Sequence, residues 1–301
     1  MDIKQKIHEV RGDTAILAHT YQDYDIVELA DVTGDSYALA KAATKLPNKR
    51  VVVCGVRFMA ETVKILNPEK EVVLANPKAG CPMADNVDID KLKKLINEMP
   101  DVPVVAYVNT TVETKALSTV CVTSSTAVKI VKAIPGNAVI FLPDANLGRW
   151  VRKMVPEKNF IIWDGCCPVH NSVLVTEAKR AKRRHQNSVL AVHPECDPEI
   201  SEIADFVGAT SQIIDYVMET DDKAVTIGTE SSVYKYIKRK CPEKEIYQLC
   251  ENKLVCKDMR ITTLNDVCAA LEGTGGEVIE IDENLRLKAK NCLDKMLEYG
   301  G

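Results

Sequence analysis

The chain has 301 residues, 46% of them apolar, and a net charge of −4, which allows two or three domains and a sizeable core. Its Lys and Arg are scattered, which excludes the basic stripe of a nucleic-acid binder; the densest basic run, Lys179 to Arg184, has helical spacing and reads as a solvated face. No apolar run is long enough to span a membrane and no signal peptide is evident, so the expected location is cytoplasmic, with neither nucleic acid nor membrane as partner.

In chain order, a helix over Ile3 to Val10 precedes a strand, Thr14 to Ala18, that ends at His19. A short helix and a short strand lead to Gly34, and a helix begins at Ser36. A strand (Val51 to Cys54), a helix opened by Phe58-Met59-Ala60-Glu61 and a strand (Val72 to Leu74) lead into an arm that carries Cys81. The order then recurs. Helices are predicted over Ile89 to Glu98 and Val173 to Arg184, and first strands over Val104 to Val108 and Val189 to Val192. Further helices begin at Ser124 and Thr210, with later strands over Ala138 to Leu142 and Ala224 to Ile227. Final strands, Phe160 to Trp163 and Ile246 to Leu249, lead into arms bearing Cys167 and Cys256. The tail reads as a helix (Leu264 to Leu271), a strand (Val278 to Ile281) and a helix (Glu283 to Tyr299).

A single register underlies this recurrence. Steps of 88 and 86 residues carry His19 to Tyr107 to His193, Ser36 to Ser124 to Thr210, and Pro68 to Pro156 to Pro242 in three Pro-Glu-Lys triplets. Ala30 to Ser36 also recurs as Ala204 to Thr210. Internal repeats of this kind decide the fold. Buried β-branched strands alternating with helices predict parallel sheets covered on both faces. The predicted fold is α/β: three pseudo-threefold-related Rossmann-like αβα units spanning 1–86, 87–171 and 172–259, with 260–301 packing back on the first. Ligands of parallel αβ sheets sit beyond the carboxyl ends of the strands, so three such ends facing one axis enclose one site.

The strand ends supply its candidates. His19 and Tyr21, Tyr107 and Asn109, and His193 and Glu195 stand two residues apart. Such His–carboxylate pairs move protons, although a surface ion pair is the blander reading; Tyr21 is a candidate proton donor on a movable loop. Ser36, Ser124 and Thr210 open helices, where they either cap the helix or face an anion. Asp144 or Asn146 caps the helix after Pro143.

Eleven cysteines without a secretory signal favour metal over a disulfide framework. Cys54, Cys121, Cys268 and Cys292 sit in apolar patterns and read as small buried hydrophobes. Cys81 and Cys167 each precede a proline, which favours Cys167 over Cys166; Cys256 lies further along its arm than its competitor Cys250. Three thiolates can hold a zinc with His170 as fourth ligand. They can equally hold a [4Fe-4S] cluster with one open iron, a Lewis acid able to bind a hydroxyl or carbonyl. His170 is a ligand, a proton donor or a partner of one.

Several stretches together carry a resemblance over nearly the whole chain: Ala18-His19-Thr20-Tyr21-Gln22, Gly34-Asp35-Ser36, Phe58-Met59-Ala60-Glu61, Cys81-Pro82-Met83-Ala84, Tyr107-Val108-Asn109, Cys167-Pro168-Val169-His170, His193-Pro194-Glu195-Cys196, Gly228-Thr229-Glu230 and Cys256-Lys257-Asp258-Met259. The chain resembles the quinolinate synthase family, the A protein of de novo NAD biosynthesis. The resemblance implies a [4Fe-4S] cluster on Cys81, Cys167 and Cys256 with one open iron. It implies condensation of iminoaspartate with dihydroxyacetone phosphate to quinolinate, phosphate and two waters. An aspartate oxidase or dehydrogenase would supply the iminoaspartate. Carried over, His19, Ser36, Tyr107, Asn109, Ser124, His193, Glu195 and Thr210 line the substrate site. Glu195 and Tyr21 transfer protons, and His19 and His193 hold or polarise substrate. A further expectation is that Ser36, Ser124 and Thr210 share the phosphate and carboxylates among three helix N-termini. Two positions depart from the family: Thr20 stands for the usual Asn, and Cys166 stands where His is frequent. Competing functions are another open-iron hydro-lyase, acting on a hydroxy acid, and a non-catalytic iron–sulfur or zinc sensor.

Overall fold

A computed structural model describes residues 2–300. The first unit runs α1 (Ile3–Val10), β1 (Thr14–His19), α2 (Tyr24–Leu29), β2 (Val32–Gly34), α3 (Ser36–Ala43), β3 (Arg50–Cys54), α4 (Arg57–Leu66) and β4 (Glu71–Leu74). The second repeats that order as α5 (Ile89–Glu98), β5 (Val104–Tyr107), α6 (Val112–Ala116), β6 (Val120–Val122), α7 (Ala127–Ala133), β7 (Ala138–Leu142), α8 (Ala145–Met154) and β8 (Asn159–Ile162). The third runs α9 (Val175–Arg184), β9 (Val189–Val192), α10 (Pro198–Ile203), β10 (Phe206–Val207), α11 (Thr210–Glu219), β11 (Ala224–Gly228), α12 (Ser231–Lys240) and β12 (Glu245–Gln248). The tail adds α13 (Lys257–Arg260), α14 (Leu264–Glu272), β13 (Glu277–Val278) and α15 (Glu283–Gly300).

The three sheets share one strand order: β4-β3-β1-β2, β8-β7-β5-β6 and β12-β11-β9-β10. Every pairing within a unit is parallel, and β13 extends the first sheet by an antiparallel pairing with β4. The fold is thus three Rossmann-like αβα units. Central strands such as Val51 to Cys54 and Val139 to Leu142 are buried at every residue, as strands covered on both faces must be. In each unit the first strand lies between the second and the third. Its carboxyl end is therefore the point where strand order reverses, the crevice in which ligands of such sheets bind. Those ends carry His19, Tyr107 and, one residue past β9, His193.

Local sequence sets the element boundaries. Asp88 caps α5 by accepting from the N–H groups of Asp90 and Lys91, and Asp144 caps α8 through Leu147. Thr263 and Asp266 form a reciprocal cap on α14, which ends at Gly273 in the left-handed region (φ 74°).

Several boundaries differ from the sequence expectation. Ser36 does not cap α3: the Asp35 carboxylate accepts from Ala38 N–H at 2.9 Å. The third helix of the second unit starts at Ala127 rather than Ser124, because Thr126, Thr123 and Ser125 hydrogen-bond one another in a turn first. A 3-10 turn, His170–Ser172, precedes α9, which begins at Val175 instead of Val173. The last strand is Glu277–Val278, which shares only Val278 with the expected Val278 to Ile281.

The tail also goes further than a return onto the first unit. There α14 packs on α1 and β3, but α15 packs on α6, β6 and α7 of the second unit as well as on α4. The 259/260 division falls inside α13. One continuous apolar cluster joins the first two units to α15, including Val53, Phe58, Val105, Ile140, Leu293 and Met296. The third unit instead has its own cluster on each face of its sheet. Leu293 is fully buried in the joint core, so Leu293→Ala should lose about 2–5 kcal/mol and speed hydrogen exchange in β5 and β7 while leaving β9 and β11 unchanged. Equal acceleration in all three sheets would show that the joint core has no separate existence.

Candidate active site

Twelve sequence-predicted residues line one cavity where the three units meet: His19, Tyr21, Ser36, Cys81, Tyr107, Asn109, Ser124, Cys167, His193, Glu195, Thr210 and Cys256. His170, Asp35, Phe58 and Met259 join them there. Cys166 and Cys250 are not among the lining residues; Cys250 lies on a separate surface groove. Cys54, Cys121, Cys268 and Cys292 are buried as expected.

The strand-end pairs share a backbone device. The N–H of Tyr21 donates to Nδ1 of His19 at 3.1 Å, and the N–H of Glu195 donates to Nδ1 of His193 at 3.3 Å. An Nδ1 that accepts leaves the ring proton on Nε2. Burial lowers both imidazoles, His19 to about 4 against the pull of Asp35 and Glu195, and His193 to about 3 against Glu195. Both are therefore neutral rings at neutral pH, with one N–H to offer. His193 and Glu195 are 2% and 4% exposed, so they are no surface ion pair.

Glu195 is a buried carboxylate at the centre of several contacts. Tyr107 donates to its Oε1 at 2.6 Å, His170 Nδ1 lies 2.8 Å from Oε2, and His193 Nδ1 lies 3.9 Å away. Burial pushes this carboxyl up, but the hydrogen bonds it accepts from His170 and Tyr107 counter it and hold it below the usual range. Burial, reinforced by Glu195, raises the phenols of Tyr21 and Tyr107 well above their ordinary value, so both keep their protons.

His170 stacks on His193 with ring centroids 4.7 Å apart, and its Nε2 lies 3.0 Å from Thr229 Oγ1. Thr229 Oγ1 is in turn 3.2 Å from the Tyr21 hydroxyl, which also contacts Thr210 Oγ1 at 2.8 Å. A run of polar contacts thus links Tyr21, Thr229, His170, Glu195 and Tyr107 across all three units. Thr229 received no role from the sequence, where it stood only as the middle of Gly228-Thr229-Glu230. The Asn109 amide oxygen is buried without a partner and lines the cavity, so it is available to a ligand. Ser36 and Thr210 open α3 and α11, whereas Ser124 lies in the turn before α7. The arrangement of three helix N-termini therefore holds at two hydroxyls, not three.

The cysteine arms are built alike. The carbonyls of Cys81, Cys167 and Cys256 accept from the N–H four residues on, in Asp85, Asn171 and Arg260, at 3.1, 2.9 and 3.2 Å. Burial pushes the thiols up, to about 12 for Cys81, to about 11 for Cys256 and well above the ordinary value for Cys167, against N–H donors of the following turns. Thiols in such a place become thiolates readily only when a cation joins them. Among the described residues, the group with ligand atoms all within 4.8 Å of one another is Cys167, His170 and Glu195. The three thiols do not form such a group, whereas tetrahedral zinc with Zn–S near 2.3 Å needs sulfurs only about 3.8 Å apart. Both ring nitrogens of His170 are also engaged, with Glu195 and Thr229.

His19 gives a stability signature with a definite sign. Its folded value lies below its unfolded value of about 6.5, so the unfolded chain takes up the proton first as pH falls, and stability drops between about pH 6.5 and 4. Metal-free protein should lose about 2 kcal/mol from this group by pH 5, and His19→Gln should show a correspondingly shallower decline in urea midpoints between pH 7 and 5. Parallel declines would mean that His19 is not buried neutral.

A profile of the family described as quinolinate synthetase A protein matches residues 2–298. Quinolinate synthase of Clostridium perfringens strain SM101 is 45% identical over 303 residues, 100% of both chains. That of Thermodesulfovibrio yellowstonii is 45% identical over 282 residues, 94% of this chain and 92% of its own. That of Alkaliphilus metalliredigens is 46% identical over 286 residues, 95% of this chain and 94% of its own. Agreement along the whole length, on a fold whose repeated strand ends meet in one cavity, gives the conclusion: this chain belongs to the quinolinate synthetase A protein family.

Proposed function

We propose that the chain condenses iminoaspartate with dihydroxyacetone phosphate to quinolinate, phosphate and two waters, a step of NAD biosynthesis, with a [4Fe-4S] cluster held by Cys81, Cys167 and Cys256. The observation that carries the reading is the single cavity lined by the three thiols together with a buried ionised carboxylate, two neutral imidazoles and two protonated phenols. A cavity lined by three thiols together with polar strand ends suits a cluster with an open iron better than a closed structural zinc site. When bound, a cluster with three protein ligands supplies an open iron, a Lewis acid for a hydroxyl or carbonyl.

The side chains divide the remaining work. The Nε2–H groups of His19 and His193 donate to carboxylate, carbonyl or phosphate oxygens and orient the two substrates. The hydroxyls of Ser36, Ser124 and Thr210 extend that set, and the free amide oxygen of Asn109 accepts from a substrate N–H or O–H. Glu195, already ionised, takes the proton from a substrate carbon, and Tyr107 and His170 stabilise its charge. Tyr21 keeps its proton until it gives it to a departing hydroxyl, and Thr210 and Thr229 hold the phenol in place. Closure around such a polar, buried set excludes water from the reactive imine.

Protein prepared without oxygen should carry about four iron and four sulfide per chain, fewer in Cys256→Ser, and should form a pyridine dicarboxylate from the two substrates. Zinc without sulfide would overturn the cluster, and no dicarboxylate from the iron-loaded protein would overturn the reaction. Glu195→Gln should lower kcat about 10²–10⁴-fold with iron content unchanged. A variant that keeps near-normal turnover would remove Glu195 from proton transfer.

A further inference from the structure

The three cysteine arms are tied to the rest of the fold at equivalent points. The first N–H of α4, α8 and α12 belongs to Arg57, Ala145 and Ser231. Each donates to the carbonyl two residues before a cavity cysteine: Ala79 at 2.9 Å, Gly165 at 2.6 Å and Leu254 at 2.8 Å. The fit at these carbonyls is tight. A Cβ on Gly165 would lie 2.6 Å from the Pro143 carbonyl oxygen, and Leu254 is held in the left-handed region at φ 60°, a conformation that persists only where its surroundings enforce it.

In two units a buried carboxylate adds a second tie. Asp144 accepts from Leu147 N–H at 2.7 Å with one oxygen and from Cys167 N–H at 2.9 Å with the other. Glu230 accepts from Ser232 N–H at 2.6 Å with Oε2, and its Oε1 faces Cys256 N–H at 3.4 Å and Arg260 Nε at 3.2 Å. Both carboxylates are fully buried, and they stand 86 residues apart, in the repeat register. The equivalent position of the first unit is Val56, which has no acceptor on its side chain.

We propose that Asp144 and Glu230 are positioning residues for the metal-binding arms. Each fixes the backbone of one cysteine, Cys167 or Cys256, so that its thiol faces the shared cavity before any metal arrives. The Cys81 arm relies on the Arg57–Ala79 tie without a carboxylate. This inference rests on the reading of the three cysteines as metal ligands, and it concerns how the chain presents them.

The test compares wild-type, Asp144→Asn and Glu230→Gln proteins, metal-free and reduced, treated with iodoacetamide and followed by peptide mass spectrometry at each cysteine. An amide in place of either carboxylate replaces one accepting oxygen by an NH2 group that cannot accept from the N–H it meets, so one tie is lost. Asp144→Asn should speed modification of Cys167 several-fold and leave Cys256 unchanged, and Glu230→Gln should do the reverse. After iron loading, both variants should lose iron to a chelator about tenfold faster than wild type. Unchanged rates, or equal acceleration at Cys81, Cys167 and Cys256 in either variant, would overturn the proposal. If wild-type protein prepared without oxygen holds no iron or sulfide, the metal reading fails, while the site-selective modification pattern still decides whether the carboxylates hold the arms.

Discussion

A carboxylate taken out of water must be fully hydrogen-bonded, and Glu195 of the third unit meets that demand through residues of the second. Tyr107 comes from the strand end of the second unit, and His170 from the arm that closes it. Glu195 itself stands just past β9, in the third. Removal of any one partner leaves a buried charge short of a donor, a loss of several kcal/mol in general. His170 also reaches Thr229, which contacts Tyr21, so the polar contacts of this one charge run on into the first unit.

Repetition supplies the backbone, and divergence of side chains supplies the chemistry. The pairs His19 and Tyr21, Tyr107 and Asn109, and His193 and Glu195 occupy one pair of backbone positions three times, yet they present two neutral imidazoles, two phenols, an amide and a carboxylate. Burial acts on them in opposite senses, and their contacts decide the result. It holds His19 and His193 neutral and the phenols protonated, while the donors around Glu195 reverse its effect there. Acid and base thus coexist within one cavity at the same pH.

Much of this was legible in the repeat register, because a strand end is fixed by spacing alone. His19, Tyr107 and His193 could be placed together without any knowledge of their contacts. The helix caps were less legible. Ser36 has the residue type of a cap, but Asp35 beside it is the stronger acceptor and takes the role. Ser124 keeps the register while its helix starts at Ala127, because the Thr123–Thr126 turn competes with the helix. The ties of Asp144 and Glu230 depend on side-chain reach across a loop. Only their separation by one repeat step signalled them. The placement of α15 on the second unit follows from which apolar face lay uncovered, a property of the assembled sheets rather than of the tail's own pattern.

The shared core of the first two units has a mechanical consequence. To part them would uncover Phe58, Val105, Leu293 and their neighbours, whereas the first and third units are joined by hydrogen bonds from Ser211 to Asp35 and from Ser232 to the Tyr21 carbonyl, beside the packing of Tyr21 on the third unit's core. Beside that boundary lies an open pocket of about 500 Å³, and Thr20, Asp35 and Thr210 line it. Polar contacts can be exchanged for water at small net loss, so this boundary costs less to open than the joint core, and the pocket beside it reaches the Tyr21 loop through Thr20 and Gln22.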